Sequence, residues 1–332
     1  VSFITFGDSI TNGYPVTSSQ IWAKLVADYL GTNLVNYAIS SSQASDQAYV
    51  AQGHTPTDQN IYGVMLGVND VTVYGDNTVK RQAFKDHMRA LVAWLSLPAR
   101  TAGAAMAKAG SWSPFAPIGS YTFDVGGNGS GSSQGSSLYV GFRNQVSADS
   151  EGVSEIRVDG VLKATRQGNG VAVGPTTLGS STSNPNYHGR TYGPQCVRIP
   201  NLGNGGHSVE VRNTLASKAT LLESIAGSDQ EQNPQIFLLN IPTRTGDPAW
   251  RTGYNQALSD LASEFVADGR NVVLVDIASE INSSDLFTDG LHINAAGHAK
   301  IAASVIKYLV PVTPFVPYQR SYRIGSRLTA AA

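Results

Sequence analysis

Helical periodicity is present towards both ends of this chain and breaks off for roughly 100 residues between them, so the polypeptide must build two unlike architectures. At the N-terminal end an apolar run over 1–6 precedes a helical pattern in which Ile21, Trp22, Leu25, Val26, Tyr29 and Leu30 recur at three- and four-residue spacing. Ser18 or Ser19 is placed to cap that helix, and Gly31 to close it. Apolar runs over 34–38 and 61–66 read as further strands, with a serine-rich loop over 39–45 between them. Phe84, Met88, Leu91, Val92 and Leu95 mark the next helix, closed by Pro98. Strand, helix, strand in this order implies a parallel sheet with right-handed crossovers. The same texture returns late in the chain, with strands over 235–239 and 272–276. A helix through Tyr254, Leu258, Leu261, Ala262 and Phe265 separates them, and a last one runs through Ile301, Ala302, Val305, Ile306 and Leu309, capped by Asn294.

The middle of the chain follows a period of two. Short alternating runs cover 137–142, 155–158, 161–164, 197–199 and 208–211. Val158-Asp159-Gly160-Val161 carries the Asp-Gly hairpin signature. Residues 111–224 are therefore expected to form an inserted all-β module, a small sandwich. It interrupts one α/β domain made of 1–110 and 225–312, and 313–332 forms a tail or linker without apolar periodicity.

Composition narrows the classes of function. The formal net charge is −1 and only 14% of residues are charged, so no basic surface is offered to nucleic acid or to an anionic membrane. A neutral substrate is expected. The single Cys196 cannot form an intramolecular disulfide and has no metal-ligand spacing around it, and no cofactor motif is present. His188 and His207 likewise lack ligand spacing, and His298 belongs to the last helix as a packed or exposed residue. High Gly, Ser, Thr and Asn beside 23 Lys and Arg residues point to an extracellular or virion-surface protein. No signal peptide or membrane-length apolar run is seen, and the chain opens directly on a core strand. That start suggests a processed product or a domain from a larger chain, with a homo-oligomer an open alternative.

Chemistry in a parallel sheet gathers beyond the carboxyl ends of its strands. The loops there hold Ser9, Ser41 and Asn69, and Asp289 and His292 lie just ahead of the last helix. A serine at a strand end is a candidate nucleophile, although Gly-Asp-Ser is also ordinary turn and cap material.

Gly7-Asp8-Ser9, Gly67-Val68-Asn69-Asp70, and Asp289-Gly290-Leu291-His292 ahead of Asn294-Ala295-Ala296-Gly297 together resemble the SGNH (GDSL-type) hydrolases, a family of esterases and lipases. The resemblance covers the α/β portion at both ends and not the β insert. It implies a flavodoxin-like three-layer α/β/α fold with a five-stranded parallel sheet. It also implies Ser9 as nucleophile, His292 as its base and Asp289 as the acid that orients His292, roles that ester hydrolysis independently requires. The oxyanion hole would comprise the Ser9 N–H, the Asn69 side-chain amide and the N–H of Ser41, with Asp8 bracing the loop. Ser41 departs from the family, whose members usually carry glycine there. Its N–H survives, but a positive φ would cost a serine more than a glycine.

Short polar segments beside these motifs favour small acyl groups over lipid chains. An inserted sandwich in such a chain resembles a carbohydrate-binding module, on which Trp112, Tyr121, Tyr139, Tyr187 and Tyr192 are stacking candidates, the alternative being that most of them are core or hairpin-face residues. The expected activity is removal of small acyl groups, O-acetyl first among them, from a polysaccharide, as in a deacetylase of a phage-tail-like surface protein. The alternatives are a short-chain carboxylesterase or lipase with the insert as lid, and a non-catalytic glycan-binding protein on an esterase scaffold.

Overall fold

The computed structural model describes residues 1–102, 105–109, 112–115, 120–123, 128–143, 153–167, 193–214 and 220–309. The expected tail, together with Tyr187, His188 and Tyr192, lies outside the described residues, as do the side chains of Trp112 and Tyr121.

The first three strands are β1 (Ser2–Gly7), β2 (Asn33–Asn36) and β3 (Ile61–Met65). Seven helices are described: α1 (Ser9–Asn12), α2 (Trp22–Tyr29), α3 (Ala44–Gln52), α4 (Val68–Tyr74), α5 (Thr78–Ser96), α6 (Arg251–Ala267) and α7 (Ala295–Ile306). Eleven short antiparallel strands follow α5: β4 (Thr101–Ala102), β5 (Ala107–Ala109), β6 (Trp112–Phe115), β7 (Ser120–Phe123), β8 (Asn128–Gln134), β9 (Leu138–Arg143), β10 (Val153–Val158), β11 (Val161–Gln167), β12 (Pro194–Ile199), β13 (Gly206–Asn213) and β14 (Thr220–Gly227). The parallel sheet is completed by β15 (Gln235–Leu239) and β16 (Val272–Val275).

The parallel sheet runs β16-β15-β3-β1-β2, the 2-1-3-4-5 order of the flavodoxin-like fold. Connections from β1 run one way to β2 and then back past β1 to β3, so their right-handed crossovers fall on opposite faces. Helices α2 and α7 accordingly pack together, and α3, α5 and α6 form the other layer. The sheet is apolar on both sides, as a covered parallel sheet requires: Phe3, Ile4, Phe6, Val64, Ile236, Phe237, Leu238 and Leu239 are all buried. The reversal of strand order leaves a crevice between the carboxyl ends of β1 and β3, where Ser9 and Asn69 emerge.

The eleven antiparallel strands make two sheets, ordered β11-β10-β13-β8-β5 and β12-β9-β14-β7-β6, with β4 paired to β14. Alternation along β9 separates two environments. Leu138, Val140 and Phe142 face the core between the two sheets, with Ile156, Val158, Val209 and Val211 opposite. Tyr139 points the other way, into the α/β core. Its ring stacks on Phe265 at 5.1 Å and its hydroxyl donates to Asp268 at 2.6 Å. Tyr139 is 1% exposed, so it is a packing residue and offers no platform to a sugar. The Asp-Gly hairpin joins β10 to β11, with Asp159 at φ 51° and Gly160 at φ 78° supplying the paired left-handed residues of a type I′ turn.

Two local features differ from expectation. Helix α3 begins within the stretch read as loop, because its buried face carries Ser45, Asp46 and Gln47 among alanines and so lacks an apolar period. Ser18 forms part of a separate short turn and does not cap α2. Instead Trp22 N–H at the start of α2 donates to Nδ1 of the buried His298 on α7, at 3.2 Å. Burial holds the His298 pKa down to about 4, which keeps that nitrogen an acceptor. Cys196 is buried against the α5 layer, and its thiol is pushed up to about 12 by burial, consistent with a structural residue.

Candidate active site

Strand β1 ends on Gly7 because nothing larger fits: a Cβ there would lie 2.3 Å from Thr11 Oγ1 and 2.9 Å from the Met65 carbonyl. Asp8 then caps the single turn α1, its Oδ1 accepting from Ile10 N–H at 3.0 Å. Asp8 is 1% exposed, and its second oxygen meets no donor among the described residues. Burial raises its pKa to about 7 despite the backbone hydrogen bonds that oppose the shift. Ser9, the first residue of the turn, is half-buried at the crevice.

The loop 289–292 comes to Ser9 from the far end of the chain. Asp289 Oδ1 accepts from the N–H groups of Leu291 at 2.9 Å and His292 at 3.0 Å, which folds the four residues into a tight turn. Gly290 sits at φ 67°, and Thr245 N–H donates to its carbonyl at 2.7 Å. On the other side the Phe287 N–H donates to the His292 carbonyl at 2.8 Å. Asn294 caps α7 through Gly297 N–H at 3.0 Å, so the turn is pinned directly ahead of a helix.

These constraints produce a continuous chain of hydrogen bonds. His292 Nε2 lies 3.0 Å from Ser9 Oγ, and His292 Nδ1 lies 2.7 Å from Asp289 Oδ2. With Asp289 ionised, Nδ1 carries the ring proton and Nε2 is free to accept from the serine hydroxyl. Desolvation of Asp289 is outweighed by the hydrogen bonds from the His292 ring and the two backbone N–H groups, which bring its pKa down to about 2. A hydroxyl, a base and an anion in this order can deprotonate a nucleophile and then protonate a leaving group.

Asn69 and Ser41 approach the same crevice. The Asn69 amide donates to the Ser42 carbonyl at 2.9 Å, which leaves its second N–H. Ser41 sits at φ 64°, in the left-handed region where serine carries the steric cost that glycine avoids. Asn12 of α1 donates to Ser40 Oγ at 3.2 Å, tying the Ser9 turn to the same loop. Asp70 lies below, its two oxygens accepting from Ala44 N–H at 3.3 and 3.2 Å and so capping α3. The pKa of Asp70 is raised well above the usual carboxylate range by burial, with Asp46 and Asp8 adding repulsion.

One neighbour of the site is not legible from spacing. Tyr14 packs edge-to-face on the His292 ring with centroids 4.8 Å apart, and is 57% exposed. A recess of about 10 Å³ is lined by Val68, Val71, Ile241, Pro242, Thr243, Arg244, Arg251 and Leu291, and by none of Ser9, Asn69 and His292. Among the described residues, His, Cys, Asp and Glu side chains form no group suited to a metal ion, and no helix is long and apolar enough to cross a membrane.

Residues 5–146 match the model of the GDSL-like Lipase/Acylhydrolase family, a span that includes Ser9, Ser41 and Asn69 and ends before Asp289. No curated protein matches the chain. Among solved structures, the chain is similar to a member of the lipolytic protein G-D-S-L family from Veillonella parvula DSM 2008, at 10% identity and TM-score 0.43 over 93% of this chain and 97% of that one. It is also similar to a carbohydrate esterase family 3 protein from Talaromyces cellulolyticus, at 13% identity and TM-score 0.42 over 92% and 94% of the two chains. An acetyl xylan esterase variant from Geobacillus stearothermophilus is similar at 12% identity and TM-score 0.39, over 92% and 93%.

Proposed function

We propose that this chain, which carries a GDSL-like lipase/acylhydrolase domain, removes small acyl groups, acetyl first among them, from carbohydrate hydroxyls through an acyl-enzyme. The observation that carries the reading is the unbroken Ser9–His292–Asp289 hydrogen-bond chain. Ser9 Oγ forms a bond to the ester carbonyl carbon while His292 Nε2 takes the hydroxyl proton. The Ser9 N–H, the second amide N–H of Asn69 and the Ser41 N–H stabilise the oxyanion of the tetrahedral intermediate. The bond to the sugar oxygen then breaks, and His292 returns its proton to that oxygen. Water, deprotonated by the same nitrogen, releases the acid and restores Ser9. Asp289 stays ionised and steadies the imidazolium formed in each half-reaction.

A small acyl group is supported by the short polar segments over 11–19, 40–45 and 72–77 that flank Ser9, Ser41 and Asn69, in place of the apolar surface a long acyl chain needs. A carbohydrate alcohol is supported by the polar loops at the crevice and by the near-neutral charge of the chain. An extracellular or surface location is part of the same proposal.

The test is hydrolysis of p-nitrophenyl esters from acetyl to octanoyl, followed by acetylated polysaccharides, each beside Ser9→Ala. Fastest turnover of acetyl, abolished by Ser9→Ala, is the expected result. Faster turnover of long chains would replace the reading with a lipase-like one. Equal inertness of wild type and Ser9→Ala would turn attention to glycan binding alone.

A further inference from the structure

Tyr14 is fixed in place by the same turn that carries Ser9. Its N–H donates to the Ser9 carbonyl at 3.0 Å, directly after Gly13, which closes α1 at φ 93°. Gly13 cannot be replaced by a larger residue without meeting Ile21, whose Cγ2 would lie 1.9 Å from an added Cβ. The tyrosine ring leaves the turn to pack against His292. A single exposed aromatic is unremarkable on a protein surface. An exposed aromatic held by the nucleophile's own helix against the base is a different matter, because that is where one half of the substrate must lie.

Acylation requires the leaving oxygen within hydrogen-bond reach of His292 Nε2, roughly 2.6–3.2 Å. With the two ring centroids 4.8 Å apart, a ring joined directly to that oxygen can reach Tyr14. We infer that Tyr14 is the platform for the alcohol half of the ester, accepting the apolar face of a cyclic sugar whose acylated oxygen is presented to His292. The inference rests on the esterase reading and adds to it the residue that selects the leaving group.

The experiment compares the specificity constants of wild type, Tyr14→Ala and Tyr14→Trp on three esters: an acetylated methyl pyranoside, ethyl acetate and ethyl butyrate. Tyr14→Ala is expected to lower the pyranoside-to-ethyl acetate ratio about tenfold, the scale of an aromatic contact, while leaving the acetate-to-butyrate ratio in place. Tyr14→Trp restores the pyranoside preference. Loss of packing on His292 lowers all three rates together and cancels in the ratios. An unchanged pyranoside-to-ethyl acetate ratio overturns the inference, as does a shift in the acyl ratio instead. Ser9-dependent hydrolysis of ethyl acetate with either result leaves the esterase reading standing; wild type inert on all three esters removes both.

Discussion

The side-chain amide of Asn69 donates to the backbone carbonyl of Ser42 at 2.9 Å, so the loops after β2 and β3 are locked together at the crevice. That bond fixes the direction of the second amide hydrogen, and in the proposed mechanism this preorganises Asn69 as an oxyanion donor before any substrate binds. Asn69→Ala is expected to lower kcat roughly 100- to 1,000-fold with little change in KM, since the lost interaction strengthens only in the transition state. Steady-state kinetics on a p-nitrophenyl acetate series decides it. An equal rise in KM with kcat preserved would place Asn69 in ground-state binding instead.

Ser41 gives a second, separable test of the same loop. Its φ of 64° costs a residue with a Cβ about 1–2 kcal/mol. Glycine removes that cost but gains freedom in the unfolded chain worth about 1 kcal/mol, so the two terms nearly cancel. Ser41→Gly is therefore expected to keep both activity and stability within about 1 kcal/mol. Ser41→Val keeps the N–H but adds β-branching in the left-handed region, and should lose both. Urea unfolding and kcat/KM are measured side by side. A fully active, fully stable valine variant would show that the backbone conformation here is not needed.

How much of this was readable in advance depends on whether the determinant was local. Ser9, Asp289 and His292 were visible because each falls where a strand ends or a helix is about to begin, and the parallel sheet followed from the alternation of helical and extended periods, whereas its flavodoxin-like order was implied by the family resemblance alone. Helix α3 escaped because its inner face is polar and its first N–H is satisfied by Asp70, a residue from another loop. The cap of α2 escaped for the same reason: His298 reaches it from the other end of the chain. Tyr139 was readable as a strand residue on one face of β9, but a period of two does not say that both faces of that sheet are covered. Tyr14 was an ordinary loop tyrosine until the fold brought His292 against it.

Gly290 and Thr245 supply a test of loop positioning. An added Cβ at Gly290 would lie 2.5 Å from both Thr245 Cβ and Oγ1, and the backbone is at φ 67°. Gly290→Ala should move the Asp289–His292 turn and lower kcat roughly 10- to 100-fold while the global fold persists, because small displacements of a catalytic group cost that much. Thr245→Gly in the same chain removes the collision but not the φ strain, so recovery is expected to be partial. Circular dichroism checks the fold and kinetics the recovery. No recovery at all would assign the whole effect to backbone strain.

The buried Asp8 predicts a pH dependence of stability whose sign is unusual for a carboxylate. Its folded pKa of about 7 lies above the ordinary value of 3.8, so the folded state holds the proton more tightly. The stabilisation is fully present below about pH 4 and is lost as the pH rises through about 7, a change on the order of 4 kcal/mol. The buried Asp70 shifts in the same direction. His87 and His298 oppose it, since burial lowers each to about 4 and their contribution is lost as the pH falls from 6.5. The absolute curve is therefore a compromise, and a difference between two proteins isolates Asp8. Asp8→Asn keeps an oxygen for the Ile10 N–H and removes the ionisation. Urea midpoints measured from pH 4 to 8 should show the variant gaining on wild type as the pH rises, with the gain levelling above about 7. Parallel curves across that range would mean that Asp8 ionises in the folded protein as easily as in the unfolded chain, and that its burial is relieved by water.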